Sequence, residues 1–219
     1  TDDTSGVSVS ISDDGSVIAI GGFMNTGVNG LFSGHVRVYK FAEDWSLLGG
    51  DIDGEASMDL FGRSVSLSGD GNMLAVGGPY NDGSNSVNTG HVRVFSLEST
   101  ASSEPSLRPT EFPSYYPSIS PSLSSAPTTD NALLIYGKWK KYGQAVMNGQ
   151  VAATSADGNI LVVGDPTFNC SNGEMSLCGK VSFFRLVSGT WRAYGDDITG
   201  AERWHLGQSL DITGDGKAA

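Results

Sequence analysis

The sequence has no apolar stretch approaching the ~20 residues that a membrane-spanning helix needs, so no membrane span is expected. Positive charge is also scarce, with 13 Lys and Arg against 24 Asp and Glu for a formal charge of -11. That balance opposes a cationic footprint for nucleic acid or anionic lipid and leaves cations and neutral glycans as the easier partners. No basic-then-apolar leader stands at Thr1, which is compatible with a signal peptide already removed. Catalytic signatures are missing as well: there is no glycine-flanked nucleophilic serine, phosphate-cradling glycine loop or zinc-protease helix pattern. The expected class is therefore non-enzymatic, although a carboxylate pair for glycoside hydrolysis would leave no mark in a sequence.

Cysteine is limited to Cys170 and Cys178, in one polar loop with seven residues between them. Zinc would want two more ligands, and the spacing suits a local disulfide. Asn169-Cys170-Ser171 also reads as an N-glycosylation acceptor at Asn169. Both features lead to the expectation of an extracellular, secreted chain.

What the chain does have is a phrase said four times: Gly, then alternating small and apolar residues, then Asp-Gly. The phrase ends at Gly15, Gly71, Gly158 and Gly216, at intervals of 56, 87 and 58 residues, and the middle interval falls to 57 once an insert of 30 net residues is discounted. A constant period of this kind marks a repeat architecture whose units bury their apolar faces only by stacking. In the second copy, Arg63 to Ser68 alternates, Asp70-Gly71 turns, and Asn72 to Val76 returns as an apolar strand. A third strand follows at Gly90-His91-Val92-Arg93-Val94-Phe95, matched by Gly34 to Tyr39 and Gly179 to Phe184. Tryptophan strands at Trp45, Trp139 and Trp191 complete each unit. The expected fold class is all-β, with four-stranded propeller-like blades, three full repeats and a partial one. Three and a fraction do not close a ring, so neighbouring protein is expected at both ends.

Leu60-Phe61-Gly62, Gly77-Gly78-Pro79 and Gly90-His91-Val92-Arg93-Val94-Phe95 together resemble the FG-GAP repeat of integrin alpha-subunit propellers and related extracellular proteins. The resemblance implies a β-propeller. In that family some blades carry a calcium loop between the first two strands, but here the turn has shrunk to Asp13-Asp14-Gly15, Asp70-Gly71, Asp157-Gly158 and Asp215-Gly216. One or two carboxylates do not supply the six to eight oxygens that calcium prefers, so those sites are not carried over and no cofactor is expected there.

Pro105, Pro109, Pro113, Pro117 and Pro121 recur every four residues, each followed by a hydroxyl residue: Ser106, Thr110, Ser114, Ser118 and Ser122. Tetrapeptides of this character resemble the glycosylated proline-rich stretches of extracellular proteins in algae and other protists, and the resemblance implies proline hydroxylation and O-glycosylation at these five pairs. Such a segment favours extended polyproline II and reads either as a linker or as an arm laid along a surface. Leu107, Phe112, Tyr115, Tyr116, Ile119 and Leu123 make it more apolar than a solvated spacer requires, which favours an assembly arm. The domain plan is accordingly 1–98 for the first blades, 99–130 for the arm and 131–219 for blades continuing the array.

His35 and His91 fill the same slot of successive repeats, so a repeated structural role outweighs a metal pair. The resemblance places the loop Asp51-Ile52-Asp53-Gly54-Glu55 and the loop after Gly-Gly-Pro on one face, the usual ligand-binding face of such propellers. Asp51, Asp53, Glu55, Tyr80, Asn81 and Asp82 are the candidate residues there, for a sugar or a calcium ion, against a plain reading as side-chain-capped turns. The leading expectation is a secreted structural glycoprotein assembling with copies of itself, or with another subunit, into a fibre, sheath or coat. A cell-adhesion or carbohydrate-binding propeller module, with glycans as partners, is the alternative.

Overall fold

The structure is a computed structural model that describes residues 4–82, 88–99, 137–170 and 177–219. The expected proline-serine arm lies outside the described residues: Pro105, Pro109, Pro113, Pro117 and Pro121, the hydroxyl partners Ser106, Thr110, Ser114, Ser118 and Ser122, and the apolar positions Leu107, Phe112, Tyr115, Tyr116, Ile119 and Leu123. Its polyproline II geometry and its role in assembly therefore stay expectations drawn from the sequence. No helix is found among the described residues, and the chain is all-β, in three antiparallel sheets that stand as propeller-like blades.

Blade 1 contains β1 (Ser8–Ile11), β2 (Val17–Gly22), β3 (His35–Phe41), β4 (Trp45–Leu47) and β5 (Ile52–Asp53). Blade 2 contains β6 (Ser64–Leu67), β7 (Met73–Gly78), β8 (His91–Ser99), β9 (Gly137–Lys141) and β10 (Val146–Met147). Blade 3 contains β11 (Val151–Thr154), β12 (Ile160–Asp165), β13 (Lys180–Val187), β14 (Thr190–Ala193) and β15 (Ile198–Thr199). The sequence pattern leads to four lanes per blade, but the fourth is shared by two strands. β4 pairs with the C-terminal half of β3, and β5 with its N-terminal half. The reason is length: β3 has seven residues and β4 three, so half of the edge of β3 would stand unpaired. A glycine at positive φ, Gly49, bends the chain between the two short strands, and Gly143 and Gly195 recur at that position in the other blades.

Each blade buries its face against the next. Val17, Ala19, Val36, Val38 and Leu48 of blade 1 meet Val65, Leu67, Leu74, Val76, Phe95 and Trp139 of blade 2 in one core. Ala75, Val92, Val94 and Val146 of blade 2 meet Ala152, Leu161, Val163 and Trp191 of blade 3 in a second. The tryptophan of one blade lies on the bend glycine of the preceding one, Trp139 on Gly49 and Trp191 on Gly143. Trp139 Nε1 also donates to the Leu48 carbonyl at 3.0 Å.

The inner strands of neighbouring blades lie side by side and are stitched largely by hydroxyls. Ser8 Oγ donates to the Gly62 carbonyl, and the Leu67 amide donates to Ser10 Oγ. The Ala152 and Thr154 amides donate to Ser64 and Ser66 Oγ. This explains the small polar residues alternating in those strands, since a larger side chain would hold the strands apart. The Asp-Gly turns are linked too, by backbone bonds from Asp13 to Gly69, from Gly69 to Ala156 and from Ala156 to Gly214. Residues 209–218 thus take the inner lane of a fourth unit against blade 3.

The two ends of the stack differ from its middle. Val9 and Ile11 are 52% and 56% exposed, whereas their equivalents Val65 and Leu67 are 9% and 6% exposed. Trp45 is 47% exposed, against 8% for Trp139 and 3% for Trp191. At the other end, a Cβ added at Gly195 would meet no atom within 4 Å, so the slot filled by an indole at Gly49 and Gly143 is open there.

Candidate functional site

The loops of one end converge where blade 1 meets blade 2. A short run of backbone bonds joins loop 30–34 to loop 57–61: Met58 to Leu31, Leu60 to Phe32 and Phe61 to Ser33. Gly34 forms a parallel bridge to Phe61, and a Cβ there would fall on the Phe61 backbone, so the close approach requires glycine. The contact holds Phe32, Met58 and Leu60 at φ of 53°, 71° and 52°, a region that bulky side chains rarely adopt.

Phe61 is fully buried at the centre of this corner. The Arg93 guanidinium lies 3.9 Å from the centroid of its ring, and His91 and Phe95 approach it edge-on at 6.4 and 6.1 Å. Arg93 donates to Glu55 Oε1 at 3.2 Å and to the Asp53 carbonyl at 3.1 Å. Its buried Nε has no partner among the described residues, nor does His91 Nε2. Burial, with Arg93 alongside, pushes the His91 imidazole down to about 4, and burial also lowers the Arg93 guanidinium.

Asp59 organises the loops. Its Oδ2 accepts from the Glu55 and Ala56 amides and, at 3.0 Å, from Asn81 Nδ2. Its carbonyl accepts from the Tyr80 amide. In the sequence Asp59 stands four residues beyond the candidate loop that ends at Glu55. The one signal for it is the position two residues before Phe61-Gly62, because its contact with Asn81 spans 22 residues.

Of the six candidate ligand residues, Asp53 ends β5 and the others lie in loops at this end of the stack, and most are engaged with the protein. Asp51 holds Arg37 through two bonds of 2.8 Å, and the hydrogen bond from Arg37 lowers its carboxyl. Glu55 pairs with Arg93, and Asp82 accepts from the Asn88 amide. Asn81 is buried, so its expected role as a ligand residue is corrected to that of a loop clamp. Asp53 is half-buried, and Tyr80 keeps an exposed side chain. Among the described residues no three His, Cys, Asp or Glu side chains converge as a metal-holding group.

The Asp-Gly turns are capped by their own side chains. Ser12, Ser68 and Ser155 each donate to the Asp two residues on and accept from the amide five residues on. Thr213 does the same with Asp215 and Ala218. Hydrogen bonds from Ser12 and Ser16 hold the Asp14 carboxyl down at about 2. At Asp70, burial opposes the shift, but the bonds from Ser68 and Asn72 outweigh it and the carboxyl is again lowered. His35 and His91 are both buried at the same register of β3 and β8. The Cys170–Cys178 disulfide is present, and Asn169 beside it is exposed.

Comparison with known proteins agrees with this geometry at the level of the repeat. Residues 52–95 match the family model of the FG-GAP repeat, from β5 through most of β8. No curated protein matches the chain. Among solved structures the chain is similar to the periplasmic gluconolactonase PpgL of Pseudomonas aeruginosa, with 13% identity and a TM-score of 0.40. The match covers 96% of this chain and 62% of that one. The chain is a propeller-like repeat protein that carries an FG-GAP repeat at residues 52–95.

Proposed function

We propose that this chain is a non-enzymatic, secreted structural module that joins copies of itself, blade on blade, into an extracellular fibre, sheath or coat. The observation behind this reading is the unfilled knob and hole at the two ends of one stack. Trp45 stands exposed with Val9 and Ile11, while the slot at Gly195 lies open beside the exposed Tyr194 and Ile198. The two internal junctions already use this pairing, so a second copy offers each end the surface it matches. A contact between unlike ends propagates or closes into a ring, according to the rotation it imposes. Residues 209–218 hold the inner lane of the blade 3 face, so the incoming β1 competes with them and docking centres on the outer lane. The disulfide is consistent with an oxidising compartment. Glycosylation at Asn169 and along the proline-serine arm belongs to the same reading, with the arm as a second contact element.

The test is sedimentation velocity over a concentration series. Wild type is expected to associate, whereas Trp45→Glu and Gly195→Asn each remain monomeric with unchanged far-UV circular dichroism. Asparagine tolerates the left-handed backbone at Gly195 while filling its slot. A wild-type chain that stays monomeric at the highest concentration reached, or variants that associate as it does, would overturn the reading.

A further inference from the structure

Beyond assembly, we propose that the hollow on the inner side of the stack binds a small polyhydroxylated carboxylate, of the size of a hexuronate. The hollow measures about 380 Å³ and is walled by the N-terminal halves of the inner strands of all three blades, by residues 208–210 and by Pro166 of a loop above. That volume lies within the ~300–1,000 Å³ typical of small-molecule sites.

The case rests on which polar groups remain unengaged. Successive units present equivalent residues here: Val7, Arg63 and Gln208 in one row, then Ser8, Ser64, Val151 and Ser209 in the next. In the second row Ser8 and Ser64 are occupied in stitching blade to blade. The side chains of Arg63, Gln208 and Ser209 make no hydrogen bond among the described residues. Arg63 is held over the Phe23 ring at 5.2 Å, which orients its guanidinium without neutralising it. No Asp or Glu lines the hollow, although the chain carries 24 of them.

These features define the ligand by its chemistry. An unpaired guanidinium matches a carboxylate through two parallel bonds. The amide of Gln208 and the hydroxyl of Ser209 both donate and accept, as sugar hydroxyls require. Val7 and Leu210 supply apolar contact for the ring carbons. A bare inorganic anion would use only Arg63, and a neutral hexose would leave Arg63 unused.

Calorimetric titration of the purified chain with glucuronate, glucose and inorganic phosphate distinguishes these cases. Glucuronate is expected to bind once per chain and at least tenfold more tightly than either of the others. Arg63→Gln should weaken it at least tenfold and Ser209→Ala several-fold, while Arg192→Gln, an exposed arginine outside the hollow, leaves it unchanged. Retained circular dichroism shows that each variant is folded. Absence of glucuronate binding, equal binding of glucose or phosphate, or an Arg63→Gln chain that binds like wild type would each overturn the assignment. None of these outcomes depends on the oligomeric state, so failure here leaves the assembly reading standing.

Discussion

Removing the π face beneath a buried guanidinium tests whether the corner between blades 1 and 2 is held by specific chemistry or by bulk alone. Phe61→Leu keeps an apolar side chain in a fully buried position but withdraws the ring that Arg93 covers at 3.9 Å. The change of shape should cost up to ~1.5 kcal/mol, and the loss of a desolvated cation–π contact about 2 kcal/mol more. Edge-on contacts to His91 and Phe95 contribute ~0.5–1.5 kcal/mol each, so the total lies between about 3 and 6.5 kcal/mol. In an Arg93→Met background the guanidinium is already absent, and Phe61→Leu should then cost about 2 kcal/mol less. The measurement is urea unfolding of the four proteins of this double-mutant cycle, followed by tryptophan fluorescence and circular dichroism. If the two changes add to within ~0.5 kcal/mol, the stacked pair is not an energetic unit and the argument fails.

Two further outcomes follow from groups already described. The His91 pKa falls from 6.5 to about 4 on folding, so the unfolded chain binds the extra proton between those values. Stability is complete above the unfolded pKa and declines as pH falls toward about 4, by roughly 3 kcal/mol; in His91→Gln the decline between pH 6.5 and 4 should flatten, as read from unfolding midpoints. Asp14, Asp70, Asp157 and Asp215 are also depressed on folding, so their contribution persists above their unfolded pKa of 3.8 and is lost only at lower pH. Reducing Cys170–Cys178 releases a loop with a sequence separation of 8 and should lower stability by roughly 2–3 kcal/mol, seen as an earlier midpoint with thiol reductant than without it.

The strand plan could be read from the sequence because it is written in short-range terms. Asp70-Gly71 fixes a turn through Ser68 and Asn72, all within five residues, and the same wording recurs in each copy. The tryptophan slot was visible because its wording recurs, even across residues 100–136, where β8 and β9 resume pairing from Ser99 to Gly137. What could not be read depends on neighbours distant in the chain. Trp45 and Trp139 look alike as letters, yet Trp45 is exposed, whereas Trp139 is buried against Gly49 of the blade before it. Asn81 looked like a loop residue free to meet a ligand, but Asp59 draws it inward. The share of β5 in the outer lane was hidden because two residues carry no periodicity of their own.

The backbone links from Asp13 to Gly69, Ala156 and Gly214 act as a hinge line running along one rim of the blades. That line passes through the turns between first and second strands and bypasses the hairpin ends between third and fourth. Pitch and orientation are therefore fixed independently of what grows from those hairpins. This chain places its longest departure from the repeat, between Ser99 and Gly137, at such an end. An insertion there can vary freely in length and character without re-registering a single blade, so the scaffold is built to accept appendages at that position.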